Sequence, residues 1–180
     1  MPISKQGISQ DIEVAREALQ SVGLLNIENA HFLCELYRRP AHNHSTLYAR
    51  VYANKGRILV TYARPEVFQF GQRILMSSFE YAAKASAHGG EKGAIVCGMR
   101  YLDGFNASEV RTQLEGLEHS SVPEVSGFVL DDESCYVRSR ATDVVFRSSC
   151  RDEEFPGCDA FHFFMQLMEV VIRRTGGGVC

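Results

Sequence analysis

Thr46-Leu47-Tyr48-Ala49-Arg50-Val51-Tyr52-Ala53, then Asn54-Lys55-Gly56, then Arg57-Ile58-Leu59-Val60-Thr61-Tyr62-Ala63, is the stretch on which the fold turns. Both flanks are rich in β-branched and aromatic residues and alternate along the chain, the pattern of a pleated strand. Asn and Gly between them tolerate positive φ, so the whole predicts a β-hairpin. The period of two places Leu47, Val51 and Ala53 on one face and Tyr48, Arg50 and Tyr52 on the other. The first set is the expected core face. The second is expected to face outward or toward a partner.

Towards the N-terminus, Ile12, Ala15, Leu19 and Val22 recur at helical spacing, which predicts a helix from Ser9 to Val22 with Ser9 as its cap and Gly23 as its stop. The same reasoning predicts a second helix from Asn26 to Arg39, with Ala30, Leu33 and Tyr37 inward and Pro40 ending it. Beyond the hairpin, Pro65 suits a first helical turn. A helix to about Ala87 would then align Phe68, Leu75, Phe79 and Ala82 before Gly89-Gly90. Ala94–Arg100 reads as a buried strand. Asn106–Glu118 opens with an Asn-x-x-Glu capping box and carries Val110, Leu114 and Leu117 on one side. Strands are expected at Val125–Leu130, Cys135–Arg140 and Thr142–Phe146, with a turn at Asp131–Ser134. A polar loop, Ser148–Gly157, leads to a last helix from Cys158 to about Arg174.

Hairpins and neighbouring strands dominate this order, so the fold class is α+β: a single domain, residues 1–175, with a mainly antiparallel sheet and helices packed on its faces. Residues 176–180 read as a flexible tail. With the second helix, the 106–118 helix and one of the last four strands counted as insertions, the order is α-ββ-α-βββ-α. In element order it resembles roadblock, longin and profilin-like domains, which implies fold and not function. The expected common core is Ile12, Leu19, Val51, Ile58, Val60, Phe68, Leu75, Phe79, Ile95, Phe128, Val144, Phe164, Leu167 and Val171.

Composition agrees with a globular chain: 180 residues, 45% hydrophobic and 23% charged. That excludes intrinsic disorder. A formal net charge of −3 gives no overall pull toward nucleic acid or acidic lipid. The first residues carry no apolar segment of the secretory kind, and Ala160–Ile172 is interrupted by His162, Gln166 and Glu169. A cytoplasmic or nuclear protein with reduced thiols and no membrane partner is therefore expected. No cofactor is implied. Gly89-Gly90-Glu91-Lys92-Gly93 precedes a strand, whereas a phosphate loop follows one.

Three function classes remain, and each has its residues. From Tyr37 to Arg64 the chain holds Arg38, Arg39, Arg50, Lys55, Arg57 and Arg64 and no acidic residue, while the stretch from Asp103 to Glu133 is acidic with Arg111 as its one basic member. A strand face with Tyr48, Arg50 and Tyr52, together with Arg57, Arg38 and Arg39, is a candidate binding surface. It can serve as a protein contact or a homo-oligomer interface, since Tyr and Arg dominate hot spots. It can also hold an anionic ligand or RNA, with rings to stack on bases and guanidiniums for phosphates. The leading expectation is the first: a non-catalytic binding or adaptor domain. The third class is a cysteine-dependent hydrolase. Cys158 at a helix start is placed for thiolate stabilisation, with His162, or His42 and His44, as candidate bases. The alternative for these residues is zinc held by Cys135, Cys150, Cys158 and His162. No paired C-x2-C knuckle supports it, and packing of Cys158 is the plainer expectation.

Overall fold

The computed structural model describes residues 5–39, 46–70, 72–75, 78–85, 91–118, 134–147 and 157–175. Helix α1 (Lys5–Ser21) begins earlier than its periodicity suggests and ends where expected. Gly23 adopts φ +75°, the amide of Leu24 donates to the carbonyl of Leu19 and that of Gly23 to Gln20. This is a Schellman closure, which needs a residue at ease in the left-handed region.

The hairpin is present as β2 (Leu47–Asn54) and β3 (Arg57–Gln69). Lys55 and Gly56 both have positive φ, the primed turn that matches strand twist. Two predicted helices are strands. Residues expected to form a helix up to Arg39 form β1 (His31–Arg39), which pairs with β2 on one side and with β6 (Ser134–Arg138) on the other. Being central, β1 is buried on both faces, so its polarity does not alternate and its apolar residues fall by chance at helical spacing. The helix expected from Pro65 is likewise absent. β3 runs on to Gln69, the chain returns as β4 (Gln72–Leu75), and only the six-residue α2 (Phe79–Lys84) is helical. Pro65 is tolerated because β2 pairs with β3 only up to Ala63 and β4 only from Glu66, leaving a gap in the ladder between them.

Strand β5 (Glu91–Asn106) is longer than expected and pairs with β3 from Glu91 to Leu102 and again, past a bulge, at Asn106. α3 (Ala107–Glu118) follows, its start capped by Asn106, whose Oδ1 accepts from the amide of Glu109 at 2.8 Å. β7 (Asp143–Arg147) pairs with β6, and α4 (Cys158–Thr175) closes the described chain. The result is one antiparallel sheet in the lateral order β5-β3-β2-β1-β6-β7, with β4 beside the far end of β3. This is an α+β fold, and the order α-ββ-α-βββ-α stands with β1 and β4 added and α3 inserted.

The helices divide between the two faces, and the expected single core is two layers. α1 and Phe79 of α2 cover Tyr37, Tyr48 and Ala63. α3 and α4 cover Leu36, Leu47, Val51, Ile58 and Val60. Of the expected core, Ile12, Leu19, Val51, Ile58, Val60, Phe79, Phe164, Leu167 and Val171 are buried, and Ile95 and Val144 are half-buried. Phe68 is exposed because it ends a strand instead of lining a helix. The side chain of Leu75, residue Phe128 and the strand expected at 125–130 lie outside the described residues. Among the described residues, no helix is long and apolar enough to cross a membrane.

Candidate functional site

Antiparallel pairing puts partners on the same face, so the register lays out rows across the sheet. On the α1 face one row reads Asp143 (β7), Arg138 (β6), Glu35 (β1), Arg50 (β2) and Thr61 (β3). The charges alternate in sign, and Glu35 stands at the centre, 2% exposed. A buried carboxylate is tolerated only when its lone pairs and charge are answered. Arg16 of α1 answers from above with a two-pronged contact, Nε to Oε2 at 3.1 Å and Nη2 to Oε1. The hydroxyl of Tyr48 donates to Oε2 at 2.6 Å. The flanking guanidiniums approach less closely, Arg50 at 3.4 Å and Arg138 at 3.7 Å.

Arg50 is held from several sides. Its guanidinium lies 4.4 Å from the ring centre of Phe32, and its Nε donates to the Tyr52 hydroxyl at 2.9 Å. Tyr52 in turn donates to the carbonyl of Leu25 and packs edge-on against Phe32. Burial pulls the pKa values of Arg50 and Arg16 down. For Arg50, hydrogen bonds to Tyr48 and Tyr52 outweigh it; for Arg16, those to Glu35 and Tyr48 do, so both guanidiniums end above their ordinary value. Burial, then the charge of Glu35, raises Tyr48.

Above this row is a cavity of about 200 Å³ lined by Arg16, Phe32, Glu35, Arg50, Arg138, Ser139 and Arg140. The last three belong to the end of β6 and the β6–β7 turn. That turn is fixed by the Ser139 hydroxyl, which accepts from the amides of Ala141 and Thr142 at 3.2 and 3.1 Å. Four guanidiniums thus meet one carboxylate at the wall. Glu13, on the exposed side of α1, pairs with Arg16, and Asp143 stands opposite Arg138 at the rim. Among the described residues no carboxylate pairs with Arg140.

The residues expected to form a contact surface do not come together. Tyr48 and Tyr52 are covered by α1 and its following turn, at 0% and 2% exposure, which corrects their outward placement. Alternation assigned them to one face correctly, but that face has its own helix. Arg50 reaches the cavity. Arg57 lies at the hairpin tip over the Tyr101 ring at 4.2 Å, with Asp103 at 3.5 Å. Arg38 and Arg39 are half-buried at the opposite end of β1. Cys158 is a half-buried free thiol at the first position of α4, and His162 is exposed one turn on, against Phe161. Cys135 is buried in the α4-side core. Cys150, His42 and His44 lie outside the described residues, and among those described no cluster of His, Cys, Asp or Glu could hold a metal. Sequence reasoning missed Arg16, Phe32, Glu35, Arg138 and Arg140. One signal was present: Glu35 is a lone charge inside Phe32-Leu33-Cys34-Glu35-Leu36-Tyr37, and such a residue requires cationic partners.

No family model, curated protein or solved structure matches this chain.

Proposed function

We propose that this chain is a non-catalytic binding domain that recognises an anionic group in the cavity between α1 and the β6–β7 turn. The observation that carries the reading is the convergence of Arg16, Arg50, Arg138 and Arg140 on one small cavity. Guanidiniums repel one another, and among the described residues one buried carboxylate, Glu35, and two exposed ones, Glu13 and Asp143, stand against four of them, so an incoming anion gains charge-assisted hydrogen bonds. Arg50 is ordered in advance by Phe32 and Tyr52, which lowers the entropy cost of binding. The cavity is below the ~300 Å³ of ordinary small-molecule pockets, which suits a single charged group better than a large ligand.

An RNA strand stacked on the hairpin is disfavoured, because the rings it would use are buried. A cysteine nucleophile at Cys158 gains no support either, since among the described residues no base is hydrogen-bonded to it. The test is calorimetric titration with pyrophosphate and citrate at low salt, where screening is weakest. An Arg138→Ala, Arg140→Ala double variant should weaken binding about tenfold or more, as charged hydrogen bonds are removed. Lys55→Ala, at the distant hairpin tip, should not. Equal binding by the double variant and the parent would defeat the proposal.

A further inference from the structure

We infer that the group taken up by this cavity is a phosphoryl group presented as a monoester, an inference that rests on the anion-binding reading above. The argument is one of direction and charge. Arg16 descends from α1, Arg50 and Arg138 come from the strands on either side of β1, and Arg140 comes from the β6–β7 turn. These donors come from four different segments, α1, β2, the end of β6 and the β6–β7 turn. A carboxylate is planar with two oxygens, and those of Glu35 take the Arg16 fork closely, with the Tyr48 hydroxyl on Oε2 and Arg50 and Arg138 farther off. A tetrahedral anion presents oxygens in several directions at once and can engage Arg50, Arg138 and Arg140 together.

Charge points the same way. Among the described residues the carboxylates beside the four guanidiniums are Glu35, which contacts Arg16, Arg50 and Arg138, and the exposed Glu13 and Asp143, whose charges solvent screens. A phosphate monoester carries about −1.5 to −2 at neutral pH and three acceptor oxygens, whereas a phosphodiester carries a single charge. The sheet forms the floor and α1 one wall, a setting for a terminal group more than for a strand passing through. Phe32, half-buried and stacked on Arg50, offers an apolar wall to whatever carries the phosphate.

The test is an NMR titration of the full chain with inorganic phosphate, O-phosphoserine, acetate and a short RNA lacking terminal phosphate. Phosphate and O-phosphoserine should compete for one site and bind about tenfold tighter than acetate, with Arg140→Ala and Arg138→Ala each weakening them about tenfold. Arg57→Ala should leave both unchanged. Acetate binding as tightly as phosphate overturns the phosphoryl assignment while the anion-binding reading survives. O-phosphoserine binding more than tenfold weaker than phosphate overturns the monoester and makes free phosphate the ligand. RNA binding as tightly as O-phosphoserine overturns it in favour of phosphodiesters. If none of the four binds, both this inference and the reading beneath it fail.

Discussion

Glu35 shows how one side chain can organise a site without entering any chemistry. Burying a lone carboxylate costs several kcal/mol, and the cost is offset only because Arg16, Arg50, Arg138 and the Tyr48 hydroxyl surround it. The same burial acts on the phenols. Tyr48 is raised by desolvation and then by Glu35, Tyr37 by desolvation and then by Asp11, and Tyr136 to about 12 by desolvation and then by Asp143. In each the protonated form is neutral and the fold holds the proton more tightly than the unfolded chain does. Stability from these groups is therefore complete below their unfolded value of 10.0 and is lost as pH rises through their folded values. Urea midpoints measured at about pH 8 and about pH 11 should fall steeply between the two. Tyr48→Phe removes one such group, so its midpoint should fall less over the same interval, although it starts lower for want of the bond to Glu35. A flat profile to about pH 11 would contradict the buried, proton-retaining phenols.

Elements were legible where their signals are local. The Asn54-Lys55-Gly56 turn, the Gly23 stop and the Asn106 cap each act within a few residues, and each is found as read. β1 and the second half of β3 were misread because their character comes from distant partners. Leu33 and Tyr37 fit a helical stripe, yet Leu36 and Tyr37 face different layers, each supplied by a different helix. The candidate site was largely illegible for the same reason. Arg16 looks like a solvated helix residue and Arg138 like a strand-end charge until the register brings both to Glu35. Packing of α2 on β5 gives a sharp test at this scale. A Cβ on Gly93 would lie 1.9 Å from the carbonyl oxygen of Ala82, a backbone atom that cannot swing aside. Gly93→Ala should cost about 1–3 kcal/mol by chemical denaturation, as overpacking does. Gly116→Ala, whose Cβ meets nothing within 4 Å, is the control and should be neutral or slightly stabilising, since Ala favours helix. Equal stability of the two variants would mean that α2 does not sit on β5 as described.

At the scale of the molecule the sheet is a partition. Leu19 of α1 and Leu167 of α4 are both fully buried, but in different layers, and no side chain of one layer belongs to the other. The whole sheet lies between these two leucines and they share no cluster, which puts them among the independent sites whose mutational effects add. Leu19→Ala and Leu167→Ala should each destabilise by about 2–5 kcal/mol, according to how far each cavity collapses. The double variant should then cost their sum to within about 0.5 kcal/mol. Because β1, β2 and β3 contribute alternate residues to both layers, losing either layer exposes one side of the same strands. The two layers should therefore still unfold together, with an unchanged denaturant slope in every variant. A coupling energy well above that margin would mean that strain passes through the sheet and the two layers behave as one core. A reduced slope in one single variant would mean that its layer melts separately, leaving the row that holds Glu35 exposed or intact according to which helix was lost.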